Sequence, residues 1–337
     1  MRQYKWGIIG PGSIANKFVQ GLGELPNAVP YATASRELDR AKAFAQKHGL
    51  KKAYGSYDEL AADPEVDAIY ISTTHPHHEA AAIKCLEAKK AVLCEKPFSA
   101  NAAQAHRMIE CAKKNKVFLM EAMWTRFLPH IKKTRELVLE GAIGQVRHVS
   151  ADFGFRAGLD PNSRLFSPET AGGSILDVGV YNVSFASMIF GEPPKSVQSS
   201  LHIGSTGVDE TASVLLGYSE GKTALLFSAV RLNTTQEAAI YGEEGSIRLA
   251  PYWCGDTIKL NNKEGQKEIK LPFGGAGFQF EIEEVMSCLE LGLLESPTMP
   301  HSDTLAIMKT LDKIRYDNNL CYPFESQDDI NFGKGEI

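Results

Sequence analysis

The sequence predicts a two-part α/β chain. A doubly wound parallel sheet comes first, followed by an α+β part built on a large, mostly antiparallel sheet. Three observations carry this reading. Over the first 123 residues, short apolar runs alternate with alanine-rich stretches of helical period. After about residue 145, strand-like runs follow one another through short turns such as "YSEGK" and "NNKEGQ". The chain has 337 residues, 43% of them apolar, enough for about two domains with sizeable cores.

In the first part, strands are expected at 6–9, 29–34, 52–54, 68–72, 91–94 and 117–123, with helices at 14–22, 38–48, 78–88 and 102–115. Most of these strands are continuous apolar runs, as a sheet covered on both faces requires, and the alternation implies right-handed crossovers. In the second part, strands are expected at 146–155, 196–203, 210–217, 222–230, 236–241, 245–249, 257–260 and 267–271. Helices at 173–190, 278–291 and 303–317 would cover one face of their sheet. The domain division is therefore 1–123 and 124–330, with a polar, loose tail after Phe324.

"GIIGPGSIAN" places Gly10, Gly12 and Ala15 between the first strand and the first helix. Gly10 permits the tight turn, Gly12 admits a pyrophosphate, and Ala15 lets the helix approach the strand. The phosphates would meet the open N–H groups of Ser13 and Ile14. The first part is thus a Rossmann-type dinucleotide-binding domain. The second strand ends in Ser35 and Arg36, with Arg40 one turn later. Two guanidiniums and a hydroxyl suit a 2′-phosphate, so NADP is the expected cofactor. Glu37 nearby keeps NAD as the alternative.

"VLCEKPFS" ends the fifth strand with Glu95, Lys96 and Pro97. Ligands in open parallel sheets bind at the carboxyl ends of strands, which aims Lys96 at the cofactor crevice. Pro97 stiffens the turn and is a candidate for a cis peptide bond. In "GGSILDVGVYNVSF", Asp177 and Tyr181 lie four residues apart on one stripe of an otherwise apolar helix.

With "EAMWTRFLP", these segments resemble the glucose-fructose oxidoreductase / inositol dehydrogenase / MocA family over about residues 5–320. The combination is most similar to the branch of dimeric dihydrodiol dehydrogenases and NADP-dependent D-xylose dehydrogenases. The resemblance implies an oxidoreductase that moves a hydride between a nicotinamide and a hydroxyl or carbonyl carbon of a sugar, polyol or dihydrodiol. It implies a homodimer or higher oligomer formed through the C-terminal sheet. Lys96 matches the lysine that contacts both nicotinamide ribose and substrate, and Asp177 matches the motif aspartate. Tyr181 stands where many members have histidine and this branch has tyrosine. Where members read T-P-N-x-x-H, this chain has Thr73, Thr74, His75, Pro76, His77 and His78. Cofactor contacts are accordingly assigned to Thr73, His75, His78, Glu95, Lys96, Trp124 and Arg126. The branch further implies an aromatic substrate pocket from Trp124, Phe153, Trp253 and Phe278, with Arg126, Phe155 and Arg156 as additional candidates.

The expected chemistry pairs Lys96 with Tyr181. A free phenol near pKa 10 is a poor base at neutral pH, and a neighbouring ammonium favours the tyrosinate. Tyr181 would then take the hydroxyl proton in oxidation and return it in reduction, with Asp177 orienting Lys96 or the substrate. The alternative makes Lys96 itself the acid/base. A non-catalytic NADP-binding sensor and an interaction module are the competing classes.

The net charge of -5 argues against nucleic-acid or anionic-membrane partners, leaving a small-molecule substrate. No apolar run approaches a membrane span, and no signal-peptide pattern follows Met1, so a cytoplasmic protein is expected. The six cysteines, none in a C-x-x-C pair, read as reduced core thiols. "THPHH" lacks the supporting pattern of a metal site, so no metal is expected.

Overall fold

The computed structural model describes residues 2–335. The chain runs β1 (Tyr4–Ile9), α1 (Ser13–Gly23), β2 (Ala28–Ala34), α2 (Leu38–His48), β3 (Lys52–Tyr54), α3 (Tyr57–Ala62), β4 (Ala68–Ile71), α4 (His78–Glu87), β5 (Ala91–Glu95), α5 (Ala102–Asn115), β6 (Leu119–Ala122) and α6 (Pro129–Leu139). It continues through β7 (Val146–Gly154), α7 (Val180–Phe190), β8 (Ser196–Ile203), β9 (Asp209–Gly217), β10 (Thr223–Ala229), β11 (Ala238–Gly242), β12 (Gly245–Leu249), β13 (Thr257–Asn262) and β14 (Gly265–Lys270). Three helices close it: α8 (Gln279–Glu290), α9 (His301–Asp317) and α10 (Gln327–Gly333).

Two compact units form. The first comprises residues 1–100, 104–124 and 274–304, and the second 101–103, 125–273 and 305–337. The chain thus crosses between units several times, where the sequence suggests one break after residue 123. In the first unit, six parallel strands take the order β3-β2-β1-β4-β5-β6. β4 and β5 are buried at every position, as strands with covered faces must be. Phe18 of α1 stacks on Tyr70 of β4 with ring centroids 3.7 Å apart.

α8 corrects one expectation. The sequence places it over the antiparallel sheet, but α8 belongs to the first unit and lies against α1. The approach is close enough that a Cβ on Gly21 would stand 2.8 Å from the Phe278 Cβ. Amphipathic period shows that a face is buried, not what buries it.

In the second unit, eight strands take the order β14-β13-β12-β11-β7-β10-β9-β8, all antiparallel except the β7–β10 pair. β9 alternates buried Ala212, Val214 and Leu216 with exposed Ser213 and Leu215, so one face is packed and the other is wet. The stretch Pro168–Phe190 is long and apolar enough to cross a membrane, contrary to the sequence reading, but its apolar window is 94% buried inside the protein. It is the central core helix. Its first turn is also not α-helical: Ile175–Gly179 is a π turn leading into α7. Gly179 allows this wide turn to approach β10, since a Cβ there would sit 3.1 Å from Ser228 Oγ.

Two helices appear that the strand-and-helix alternation does not suggest. α3 is only six residues long but carries a full capping box between Ser56 and Glu59. α6 starts at Pro129, whose missing N–H costs nothing there. The tail is likewise not loose throughout: Ser326 and Asp329 form a capping box at the start of α10.

Candidate active site

In the first unit, the glycine loop leaves β1 at Gly10, whose φ of +83° and whose closeness to the Ser72 and Thr73 backbone (2.9 Å from a Cβ) both exclude a side chain. Gly12 differs. A Cβ there would meet only the Gly10 carbonyl, at 3.8 Å. The protein itself does not require glycine at 12, so the space it leaves is available to a ligand. Gly12 also stands at the start of α1 with no side-chain cap, leaving the N–H groups at Ser13 and Ile14 open to an anion. Ala15 is fully buried where helix meets strand. The Thr73 hydroxyl is buried without a hydrogen-bond partner. An open helix start, an empty cradle at Gly12 and an orphaned hydroxyl fit a dinucleotide.

Ser35 is buried at the end of β2, where its hydroxyl accepts from the Glu37 N–H at 3.2 Å. Arg36 and Arg40 are exposed. Both are close enough to Tyr57 to act on its phenol, which burial raises and they lower, and Arg36 likewise acts on His77. The two guanidiniums therefore share one corner at the end of β2.

His75 is nearly buried, its ring 6.0 Å from that of His78. His78, grouped by sequence with the cofactor residues, is fully buried. Its two ring nitrogens lie 3.1 Å from the Pro97 carbonyl and 3.0 Å from the Thr73 carbonyl. Burial lowers the imidazole to about 4, so the ring is neutral at pH 7. A neutral imidazole has one N–H and donates to only one of these carbonyls. His78 sits between the loop after β4 and the Lys96–Pro97 turn, and that peptide is cis as the sequence suggests.

Lys96 is half-buried beyond the end of β5, and its N–H donates to Glu95 Oε2 at 3.1 Å. Glu95 is buried and also accepts from the Tyr70 hydroxyl. Below them lies Glu281 of α8, fully buried, with neither carboxyl oxygen hydrogen-bonded. Burial first, then Glu95, raises its carboxyl well above the usual range. Glu281 is a buried acid that no sequence motif signals. Trp124, 6% exposed, stacks on Phe278 at 5.1 Å and 10°.

In the second unit, Asp177 lies in the π turn and Tyr181 in the first turn of α7, four residues apart as read from the sequence. Asp177 Oδ1 accepts from Arg164 at 3.0 Å. The Tyr181 ring lies 5.3 Å from Phe153 and 6.2 Å from Trp253, and Phe153 stacks on Trp253 at 4.7 Å. These three rings form one wall. Trp253 is held firmly. Its indole N–H donates to Gln236 Oε1 at 2.9 Å, and its carbonyl accepts from the Thr125 hydroxyl at 3.0 Å. Gln236 has φ +56°, unusual for a residue with a side chain. Its amide Nε2 donates to the Gly154 carbonyl and its N–H to Asp152.

Arg126, assigned by resemblance to the cofactor, is 3% exposed. It donates through Nε to Ser184 Oγ at 3.0 Å and through a terminal nitrogen to the Ser184 carbonyl. These bonds direct it into α7. Arg156 is exposed and Phe155 half-buried where the chain leaves β7. The predicted aromatic residues therefore fall into two groups: Trp124 with Phe278, and Phe153 with Trp253 and Tyr181. Arg164, Gln236 and Glu281 lie at or beside predicted site residues without any motif announcing them.

Comparison with known proteins gives a consistent result. Residues 4–123 match the description "Oxidoreductase family, NAD-binding Rossmann fold", and residues 131–248 match "GFO/IDH/MocA C-terminal domain". Trans-1,2-dihydrobenzene-1,2-diol dehydrogenase of Xenopus tropicalis is 41% identical over 330 residues, covering 95% of this chain and 99% of that one. The Homo sapiens protein of that name is 38% identical, covering 95% and 98%. Among solved structures, aldose-aldose oxidoreductase from Caulobacter crescentus superposes with a TM-score of 0.87 at 24% identity, covering 94% and 98%. A 3-ketoreductase from Actinomadura kijaniata, solved with NADP and TDP-benzene, gives 0.83 at 24% identity, also covering 94% and 98%. At those identities the structural likenesses speak to the fold.

Proposed function

Because the chain belongs to the glucose-fructose oxidoreductase / inositol dehydrogenase / MocA family of NAD(P)-binding oxidoreductases, we propose that it oxidises or reduces a ring-bearing vicinal diol: a sugar, a cyclic polyol or a dihydrodiol. We propose NADP as the preferred cofactor, held by the Gly10–Ala15 loop, Thr73 and the Arg36/Arg40 corner. The bound nicotinamide supplies the hydride acceptor or donor. The chain supplies the proton chemistry. Tyr181 takes the proton from the reacting hydroxyl, or returns it to the carbonyl oxygen. The Lys96 ammonium favours the tyrosinate and holds the same oxygen. Asp177 orients the substrate through a second hydroxyl.

The observation that carries this reading is the position of Tyr181: a phenol one turn from Asp177 and edged by the Phe153/Trp253 stack. A ring substrate has an apolar face for that wall and hydroxyls for the phenol and the carboxylate. Relatives named for a dihydrodiol substrate support the class.

The test is a spectrophotometric screen of aldoses, cyclic polyols and trans-dihydrodiols with NADP and NAD. Turnover of at least one ring diol with NADP is expected, and turnover of none rejects the reading. Arg36→Ala/Arg40→Ala should raise KM for NADP and leave KM for NAD little changed. We further propose a homodimer through the outer face of the second sheet, where Leu215 and Leu225 are exposed side by side on β9 and β10. Light scattering of Leu225→Glu, expected to be monomeric, tests it. We also place the protein in the cytoplasm, which cell fractionation tests.

A further inference from the structure

Asp209 opens β9 and is fully buried. Its Oδ2 accepts two hydrogen bonds, from Ser174 Oγ and from the Ile175 N–H, each at 2.7 Å. Ile175 is the first residue of the π turn, whose third residue is Asp177, and Tyr181 follows in the next turn. Neither the π turn nor α7 has a side-chain cap of its own. A buried helix start without a partner for its N–H groups would be costly. Here the partner comes from another strand, 34 residues along the chain.

The surroundings are built around this carboxylate. Gly173 has φ +114°, and a Cβ there would lie 2.1 Å from Asp209 Oδ1. Ser174 Oγ also lies 3.1 Å from Ser228 Oγ on β10. From the other side, the Tyr322 hydroxyl donates to the Gly172 carbonyl, and the Gly173 N–H to the Leu165 carbonyl. Oδ1 has no hydrogen-bond partner, so the two bonds from Ser174 Oγ and the Ile175 N–H converge on one oxygen aimed at the turn. Π turns are rare and concentrate where a helix must present side chains off the α-helical register.

We infer that Asp209 is a positioning residue for the reaction: its carboxyl oxygen fixes the turn that presents Asp177 and Tyr181. The inference rests on the proposed roles of those two residues. It predicts that the acceptor atom, not the charge, is what matters. In Asp209→Asn the amide oxygen can replace Oδ2 and accept from both donors, while the NH2 group occupies the unpartnered Oδ1 position. In Asp209→Ala both acceptors are gone.

The experiment measures three quantities on the full-length protein: kcat with a turned-over ring diol, Kd for NADP by fluorescence titration, and hydrogen exchange of the peptide covering 172–181. Asp209→Ala should lower kcat roughly tenfold, as loss of a helix cap with its neighbouring geometry does, while raising exchange across the turn and leaving Kd for NADP unchanged. Asp209→Asn should restore kcat to within about threefold and restore exchange. The inference is overturned if Asp209→Ala exchanges like the wild type or keeps kcat within about twofold, or if Asp209→Asn is as impaired as Asp209→Ala. If Asp209→Ala does not fold, Ser174→Ala decides. It removes one of the two donors and should give a kcat loss of about threefold with faster exchange, and wild-type behaviour overturns the inference. The exchange readout is independent of catalysis. A Tyr181→Phe enzyme with near-native turnover would reject the functional reading without touching the exchange result.

Discussion

The two units hold their candidate residues by different means. In the first, main-chain geometry does most of the work: a left-handed glycine, an uncapped helix start and a braced turn at Lys96. In the second, side chains from a strand and a loop do it: Asp209 holds the π turn, and Gln236 holds Trp253. Residues held by backbone in one unit and by side chains in the other should fail differently when mutated. The largest expected effects are at the two groups proposed to handle the proton. Tyr181→Phe should cut kcat by about 10²–10⁴-fold with Kd for NADP intact, the range for loss of a general acid/base. Lys96→Met should lower kcat and also weaken cofactor binding. If Lys96→Met abolishes turnover while Tyr181→Phe is nearly silent, the acid/base role moves to Lys96, and the second unit is left with substrate placement alone.

The glycine loop lets the backbone half be tested against itself. Gly10→Ala meets main chain at 2.9 Å and a φ of +83°, and should destabilise the protein by roughly 3–4 kcal/mol. Gly12→Ala meets nothing closer than 3.8 Å. It should melt with the wild type yet bind NADP at least about tenfold more weakly, because only a ligand competes for the space. Equal melting losses in the two variants would mean that the space at Gly12 is structural.

On the side-chain side, burial pushes the Asp209 carboxyl from the ordinary 3.8 up to about 7, against the hydrogen bonds that lower it. A folded-state value above the unfolded one means the native state binds more protons between those pH values. The stabilisation is therefore full below about pH 4 and lost as pH rises through 7. Asp209→Asn cannot ionise. Its melting temperature should gain on the wild type steadily between pH 4 and pH 7 and level off above that, by the equivalent of roughly 4 kcal/mol. A gap that does not change with pH excludes Asp209 as the titrating group.

The same division explains what the sequence made legible. α2, α5, β3, β8 and β12 have the bounds expected from pattern alone, and the Gly10/Gly12 loop is a local rule of backbone sterics. Asp177 and Tyr181 were recognisable because an acid and a phenol in an apolar helix conflict with packing. Asp209 and Gln236 were not. Each acts on a residue distant in the chain, Ser174 at 35 positions and Trp253 at 17, and neither lies in a motif. Glu281 reads as one more polar residue on an amphipathic helix until α8 is seen against α1. α3 could have been found from Ser56-x-x-Glu59, but its six residues are too few for a periodic signal. His78 and Arg126 occupy motif positions, and only their hydrogen bonds show them braced against protein atoms.

Gln236 offers a smaller, more specific test. Gln236→Leu removes the Gln236 acceptor for the Trp253 indole N–H, a loss of about 1–2 kcal/mol. KM for ring substrates should rise several-fold while kcat changes less, since the wall positions the ring and does not touch the proton. Only three tryptophans are present, so an emission shift in Gln236→Leu that disappears in a Trp253→Phe background reports on Trp253. An unchanged spectrum with unchanged KM would show that the stack on Phe153 holds the indole without Gln236.

Arg164 should give the smallest effect and the sharpest division of labour. Its guanidinium pairs with Asp177 at 3.0 Å, but its side chain is 55% exposed while that of Asp177 is 10% exposed. Exposed ion pairs contribute about 0.2–1 kcal/mol, so Arg164→Ala should barely move the melting temperature. Asp177 loses its orienting cation, however. If Asp177 only orients substrate, KM should rise about threefold with kcat unchanged. A tenfold or greater fall in kcat would instead place Asp177 among the groups whose charge acts on the reacting oxygen. The second unit would then supply electrostatics as well as the proton.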